Sequence, residues 1–157
     1  KNVHRIDVTT AHEMWQASLE SAVKNSIFIG CAAVADYRVA EVADQKIKKT
    51  NNNDELSLKL VKNPDIIASV ASLEKDRPFV VGFAAETQNV AEYAKSKLQR
   101  KNLDMICAND VSGGQVFGQD QNALQIFWKI GEKSLPLADK NKLAEVLVTE
   151  IVEHYHK

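Results

Sequence analysis

Hydrophobic positions recur along this chain with two periods, and the switches between them mark out its elements. Thr10-Ala-His-Glu13 reads as a capping box, in which a hydroxyl and a carboxylate satisfy free amides at a helix start. The helix it opens is expected to run to about Asn25, because Met14, Trp15, Ser18, Leu19, Ala22 and Val23 fall in two adjacent columns at helical spacing. Residues 26–31 are a continuous apolar run, the pattern of a strand buried on both faces in a parallel sheet, and residues 79–84 and 104–108 are further apolar strands. Residues 5–8 are a short strand candidate, and Leu56, Leu58 and Leu60 alternate with Ser57, Lys59 and Val61 as in a half-exposed strand. Asn63-Pro64-Asp65 combines an N-cap residue, a proline at the first helical position and an acidic first turn, which predicts a helix to about Leu73. Asn89 is placed to cap another helix through about Lys101. Residues 111–122, with Gly113, Gly114 and Gly118, read as a surface loop. Residues 123–129 and 133–135 flank Ile130-Gly131-Glu132 as a hairpin, and a final helix from Asp139 carries Leu143, Val146, Leu147, Ile151 and Tyr155 on one side. Strands alternating with helices predict an α/β fold with parallel β-α-β units.

Composition narrows the function classes. A chain of 157 residues that is 45% hydrophobic and 26% charged suits a single domain with one sizeable core. A formal net charge of −1 and a pI near 6.5 point away from nucleic-acid and membrane-surface partners, which generally require a basic excess. The longest apolar stretches, residues 28–35 and 79–85, fall well short of the roughly 20 residues of a membrane span, and the polar first residues do not read as a secretory signal. A cytoplasmic location is expected. Cys31 and Cys107, each inside an apolar run, are expected to be buried free thiols. His4, His12, His154 and His156 make no metal-ligand spacing.

In an open parallel sheet, ligands bind beyond the carboxyl ends of the strands, and residues 32–38, 63–66, 84–89 and 109–114 occupy such positions. Neither the G-x-G-x-x-G turn nor the P-loop is present, so phosphate would have to be met by lysine. The candidates are Lys46, Lys48 and Lys49 in a polar arm over residues 39–53, and Lys97 with Lys101 one helical turn apart. By spacing alone these are equally ordinary solvated charges. Asp36, a carboxylate after a small-residue turn, could hold a metal or a ribose, or cap the turn itself.

Five segments carry a resemblance. Residues 28–38 (FIGCAAVADYR), 46–49 (KIKK), 60–66 (LVKNPDI), 81–87 (VGFAAET) and 101–110 (KNLDMICAND) are similar, in order and spacing, to successive motifs of the bacterial phosphopantothenoylcysteine synthetases. That family forms the C-terminal half of a bifunctional flavoprotein whose other half is a decarboxylase carrying FMN. The resemblance spans about residues 7–155. It implies a Rossmann-like domain, mostly parallel, with helices on both faces and a C-terminal hairpin plus helix.

It also implies a homodimer that uses CTP and Mg²⁺ to join 4′-phosphopantothenate to L-cysteine through an acyl-cytidylate. On this likeness Asp36 is the nucleotide-site aspartate, and the candidate metal ligand; Lys46 is the lysine of a mobile arm near the triphosphate. Asn63, Pro64, Asp65 and Ile66 form the turn against the base and sugar, Phe83 is a nucleotide-contacting aromatic, and Lys97 and Lys101 bind CTP. Ala32 and Ala33 fit the tight turn beneath the active site. The family's opening segment, T-x-G-x-T-x-E followed by an S-N-x-S-S-G phosphate loop, is not matched, so residues 1–157 are expected to be one synthetase domain lacking an N-terminal β-α unit. The alternative to a working ligase is a CTP-binding piece without turnover on its own.

Overall fold

The computed structural model describes residues 2–47, 56–86, 88–110 and 121–157. Its apolar runs pair into one sheet. Strands β1 (Ile27–Gly30), β4 (Phe79–Glu86) and β5 (Met105–Asp110) are parallel neighbours, and β6 (Gln121–Trp128) and β7 (Gly131–Asp139) extend the sheet as an antiparallel hairpin, in the order β1-β4-β5-β6-β7. A separate antiparallel ribbon joins β2 (Tyr37–Val39) to β3 (Leu60–Lys62).

Among the described residues, four helices cover the two faces. Helices α1 (Ala11–Ala22), α2 (Ile66–Ala71) and α3 (Val90–Arg100) lie on one side, where Ala22, Val70, Ala94 and Leu98 pack against Val80, Ile106 and Phe127. Helix α4 (Lys140–Tyr155) covers the other, with Leu143, Leu147 and Ile151 against Val81, Met105, Cys107 and Ile126. Alternate residues of β4 and β5 thus enter opposite cores, which is why these strands are apolar throughout rather than every second residue. Gly30 and Gly82 let α2 close on the sheet: a Cβ at Gly82 would meet Leu103 Cδ1 at 2.8 Å and Ile67 Cδ1 at 3.0 Å, and one at Gly30 would meet Ile67 Cδ1 at 3.1 Å. This close seat brings the start of α2 to the carboxyl end of β1.

Several local expectations are corrected. Residues 5–8 are exposed and form no strand, since no neighbouring strand among the described residues offers them a ladder. The strand expected over residues 56–61 is confined to Leu60–Lys62, whose partner β2 lies in the stretch read as a turn. The cap of α2 is Asp65 rather than Asn63, because the Asn63 side chain is committed elsewhere, donating to the Ala35 carbonyl at 2.8 Å and accepting from Arg38 at 3.2 Å. Asn89 caps α3 from a left-handed backbone, φ 46°, without a side-chain hydrogen bond. Cys31 is exposed, contrary to expectation, while Cys107 is buried. The loop read at residues 111–122 lies outside the described residues up to 120, as do Lys48 and Lys49.

Candidate functional site

A cleft of about 860 Å³ opens at the carboxyl end of β1. One wall is the loop after β1, with Cys31, Ala32, Val34, Ala35 and Asp36; a second is the α2 start, Asn63 to Ala68; Phe83 of β4 and the end of α3, Arg100 and Lys101, complete it. The size suits a nucleotide-sized ligand. Asn63 sets the relation between the first two walls. Buried to 9% exposure, it ties its amide nitrogen to Ala35 and its backbone N–H to the Asp36 carbonyl at 2.8 Å, while Arg38 also donates to the Lys62 carbonyl at 2.9 Å. Trp15 pins α1 to α2 by donating to Ser69 Oγ at 3.0 Å. The β2–β3 ribbon and the cleft floor therefore move as one piece.

Charge in the cleft is mixed. Asp65 accepts from the Ala68 amide at 3.1 Å as the α2 cap, and its second oxygen meets Lys101 Nζ at 2.9 Å. Burial pushes its carboxyl upward, but the Lys101 hydrogen bond, the Ala68 amide and the charges of Lys101 and Arg100 outweigh it and hold the group below its ordinary range. Lys62 and Arg100 are the other cations lining the cleft. The Cys31 thiol, at the rim, is raised by partial burial. Among the described residues no three His, Cys, Asp or Glu side chains are grouped to hold a metal. Magnesium commonly uses one or two carboxylates and completes its shell with substrate phosphate and water, so Asp36 in this cleft fits that ion once a polyphosphate is present.

Residues 1–155 match the family model described as the DNA/pantothenate metabolism flavoprotein C-terminal domain. The chain belongs to this family. Among curated proteins it is 71% identical over its whole length to the coenzyme A biosynthesis bifunctional protein CoaBC of Haemophilus influenzae, and 59% identical over 98% of its length to CoaBC of Escherichia coli. It spans 39% and 38% of those two relatives. Among solved structures, the C-terminal domain of a CoaBC superposes with a TM-score of 0.72 at 31% identity, covering 93% of this chain and 63% of that one. A Cab2 mutant in complex with phosphopantothenate-cysteine shares the fold, with a TM-score of 0.72 at 16% identity, over 96% of this chain and 52% of its own.

Of the residues that this flavoprotein-domain family suggested, Ala32, Asp36, Asn63, Pro64, Asp65, Ile66, Phe83 and Lys101 all line the cleft. Ala33, Lys46 and Lys97 stand outside its lining; Lys46 lies on exposed chain without regular structure. Lys101 reaches the cleft and Lys97 does not line it, although the Lys101 backbone N–H still donates to the Lys97 carbonyl at 3.0 Å as in a continuing helical turn. Sequence reasoning missed Lys62, Arg100, Tyr37 and Cys31. Each flanks a recognised site residue directly, and that adjacency was the available signal.

Proposed function

We propose that this chain is the nucleotide-binding part of a phosphopantothenate–cysteine ligase, an enzyme of coenzyme A biosynthesis. The observation that carries the reading is the cleft itself, in which Asp36, the Asp65–Lys101 pair and the exposed cations Lys62 and Arg100 converge beyond the carboxyl end of β1. A carboxylate is a poor electrophile in water. In this reading a carboxylate oxygen of 4′-phosphopantothenate attacks the α-phosphorus of CTP, the bond to the departing pyrophosphate breaks, and an acyl-cytidylate results. The cysteine amine then attacks the acyl carbon, CMP leaves with the bonding pair, and the amine proton passes to solvent. The chain's own contribution is binding and charge: Lys101, Lys62 and Arg100 at the cleft, with Lys46 and Lys97 approaching from outside it, offset the charge that grows as pyrophosphate departs. Asp36 would be the residue that holds magnesium, which would supply further neutralisation of that charge. Phe83 and the Asn63–Ile66 turn orient the base and sugar, and Ala32 keeps the floor narrow.

The same reading makes the working unit a homodimer, for which the exposed Tyr37, Leu56, Leu58 and Leu60 offer an apolar ribbon in need of a partner. It assigns any FMN to a fused decarboxylase domain of the longer protein, and the whole to the cytoplasm. The family match and the coverage of about two-fifths of the CoaBC relatives support it. The test is steady-state pyrophosphate and product formation by the native-length protein and by this chain alone. Release that requires CTP, phosphopantothenate and cysteine together supports the ligase; turnover by the longer protein only favours a CTP-binding piece within it. Equal turnover with no phosphopantothenate present would overturn both. Lys46→Gln is expected to suppress turnover with the melting temperature unchanged.

A further inference from the structure

Asp65 shares the cleft lining with two cations, Lys101 and Arg100, and is bonded to only one of them. Its carboxylate caps α2 through the Ala68 amide and pairs with Lys101 at 2.9 Å, while the Arg100 guanidinium, also in the cleft lining, has no hydrogen bond or ion pair with a described side chain. Arg100 is nevertheless near enough for its charge to act on the Asp65 carboxyl. This arrangement creates a conflict for an anionic ligand. If a phosphate takes the Lys101 ammonium, it either shares that cation with Asp65 or leaves Asp65 as an uncompensated, partly buried carboxylate beside a polyanion. A second cation that can take over Asp65 removes the conflict.

We propose that Arg100 is a positioning residue for the nucleotide site: when a triphosphate engages Lys101, Asp65 exchanges its partner from Lys101 to Arg100. The inference rests on the ligase reading for the identity of the ligand. No bond to substrate is assigned to Arg100. Its guanidinium, at the last turn of α3, carries a permanent charge and several N–H donors that can take the Asp65 oxygen that Lys101 releases. The exchange keeps the α2 cap in place, since the Asp65 oxygen that accepts from Ala68 is not the one that pairs with Lys101. The start of α2 therefore holds its position while the cation beside it turns to the ligand.

A mutant cycle on the native-length protein distinguishes this role from direct phosphate contact. CTP with Mg²⁺ is titrated calorimetrically into wild type, Arg100→Ala, Asp65→Asn and the double variant. If Arg100 acts through Asp65, Arg100→Ala weakens binding about tenfold in the wild-type background and less than about twofold in the Asp65→Asn background, and Arg100→Lys recovers most of the loss. Equal weakening in both backgrounds would make Arg100 a phosphate ligand and overturn the exchange. Should Asp65→Asn bind too weakly to measure, the carboxyl carbon resonance of Asp65 gives a second readout. With ligand bound, its titration stays low in wild type and shifts upward in Arg100→Ala; identical titrations overturn the proposal. A wild-type protein that binds no CTP would overturn the ligase reading and this inference together, whereas tight wild-type binding with a silent Arg100→Ala overturns this inference alone.

Discussion

The two sides of the α3–β5 connection treat charge in opposite ways. On one, at the amino ends of β4 and β5, Arg77 is heavily committed: it pairs with Asp104 at 2.7 Å and donates to the carbonyls of Ala71, Pro78 and Asn102, while the same Asp104 oxygen accepts from the Val80 amide at 2.7 Å. On the other, in the cleft beyond the carboxyl end of β1, Asp65 and Lys101 pair beside Arg100, and farther along β5 Asn109 keeps a buried side-chain oxygen that has no partner among the described residues. The densely paired network stitches the α2–β4 and α3–β5 connections and leaves little to offer a ligand. An incompletely satisfied one costs stability and retains the capacity to bind.

Breaking the satisfied end should cost most. Arg77→Ala leaves the Asp104 carboxylate without its cation and the Asn102 carbonyl without its donor, while Ala71 keeps the Asn102 amide, so a loss of about 2–3 kcal/mol is expected in denaturant unfolding, with CTP affinity of the folded fraction unchanged. A stability change below about 0.5 kcal/mol would place this network among ordinary surface pairs.

The open end should respond more to pH than to truncation. The folded Asp65 titrates below its ordinary 3.8, so its contribution to stability is present above that value and is lost as pH falls through the lower folded one. Wild type and Asp65→Asn should therefore differ by a constant amount at neutral pH and converge on acidification below 3.8. Lys101→Ala should narrow that window by removing the hydrogen bond that depresses Asp65. Convergence already at neutral pH would mean that the pair is not formed in solution. Because Asp65 and Lys101 are partly exposed, the effect on stability is small.

The cysteines give the mildest contrast, with no stability change expected. Cys107 is buried and its thiol is pushed up to about 12, by burial first and by the neighbouring Cys31 second, whereas Cys31 is exposed at the cleft. A small maleimide should label one thiol in the native protein and two after unfolding, slowly because the Cys31 thiol is also raised. CTP should slow it further. Native labelling of both thiols would contradict the burial of β5.

How much of this was legible in the sequence follows the range of the interactions involved. The capping box of α1 reads directly, and in the structure Glu13 N–H donates to Thr10 Oγ1 at 3.1 Å while Thr10 N–H donates to Glu13 at 2.9 Å, contacts three residues apart. The sheet strands and the Asp139 cap of α4 are local in the same sense. Residues 5–8 carry strand-like alternation, but a strand needs a neighbour, which no local pattern supplies. Asn63 looked like a cap because its bonds to Ala35 and Arg38 cross 28 and 25 residues. In the cleft, motif residues were legible through family resemblance. Arg100 was not, because its place depends on where α3 ends rather than on spacing. Lys95 also proved less idle than a solvated lysine, pairing with Glu132 at 2.6 Å and lying 5.3 Å from the Phe127 ring centre, well away from the cleft lining.

The central claim, that the incompletely satisfied cleft beyond β1 is a nucleotide site, is tested most directly by calorimetric titration of CTP with Mg²⁺ into wild type, Lys101→Ala and Lys95→Ala of the native-length protein. A charge-assisted contact contributes about 1.5–3 kcal/mol, so Lys101→Ala should weaken binding roughly tenfold or more. Lys97→Ala, outside the lining, should weaken it less, and Lys95→Ala should match wild type. Equal affinity of wild type and Lys101→Ala, with both proteins folded, would contradict the account.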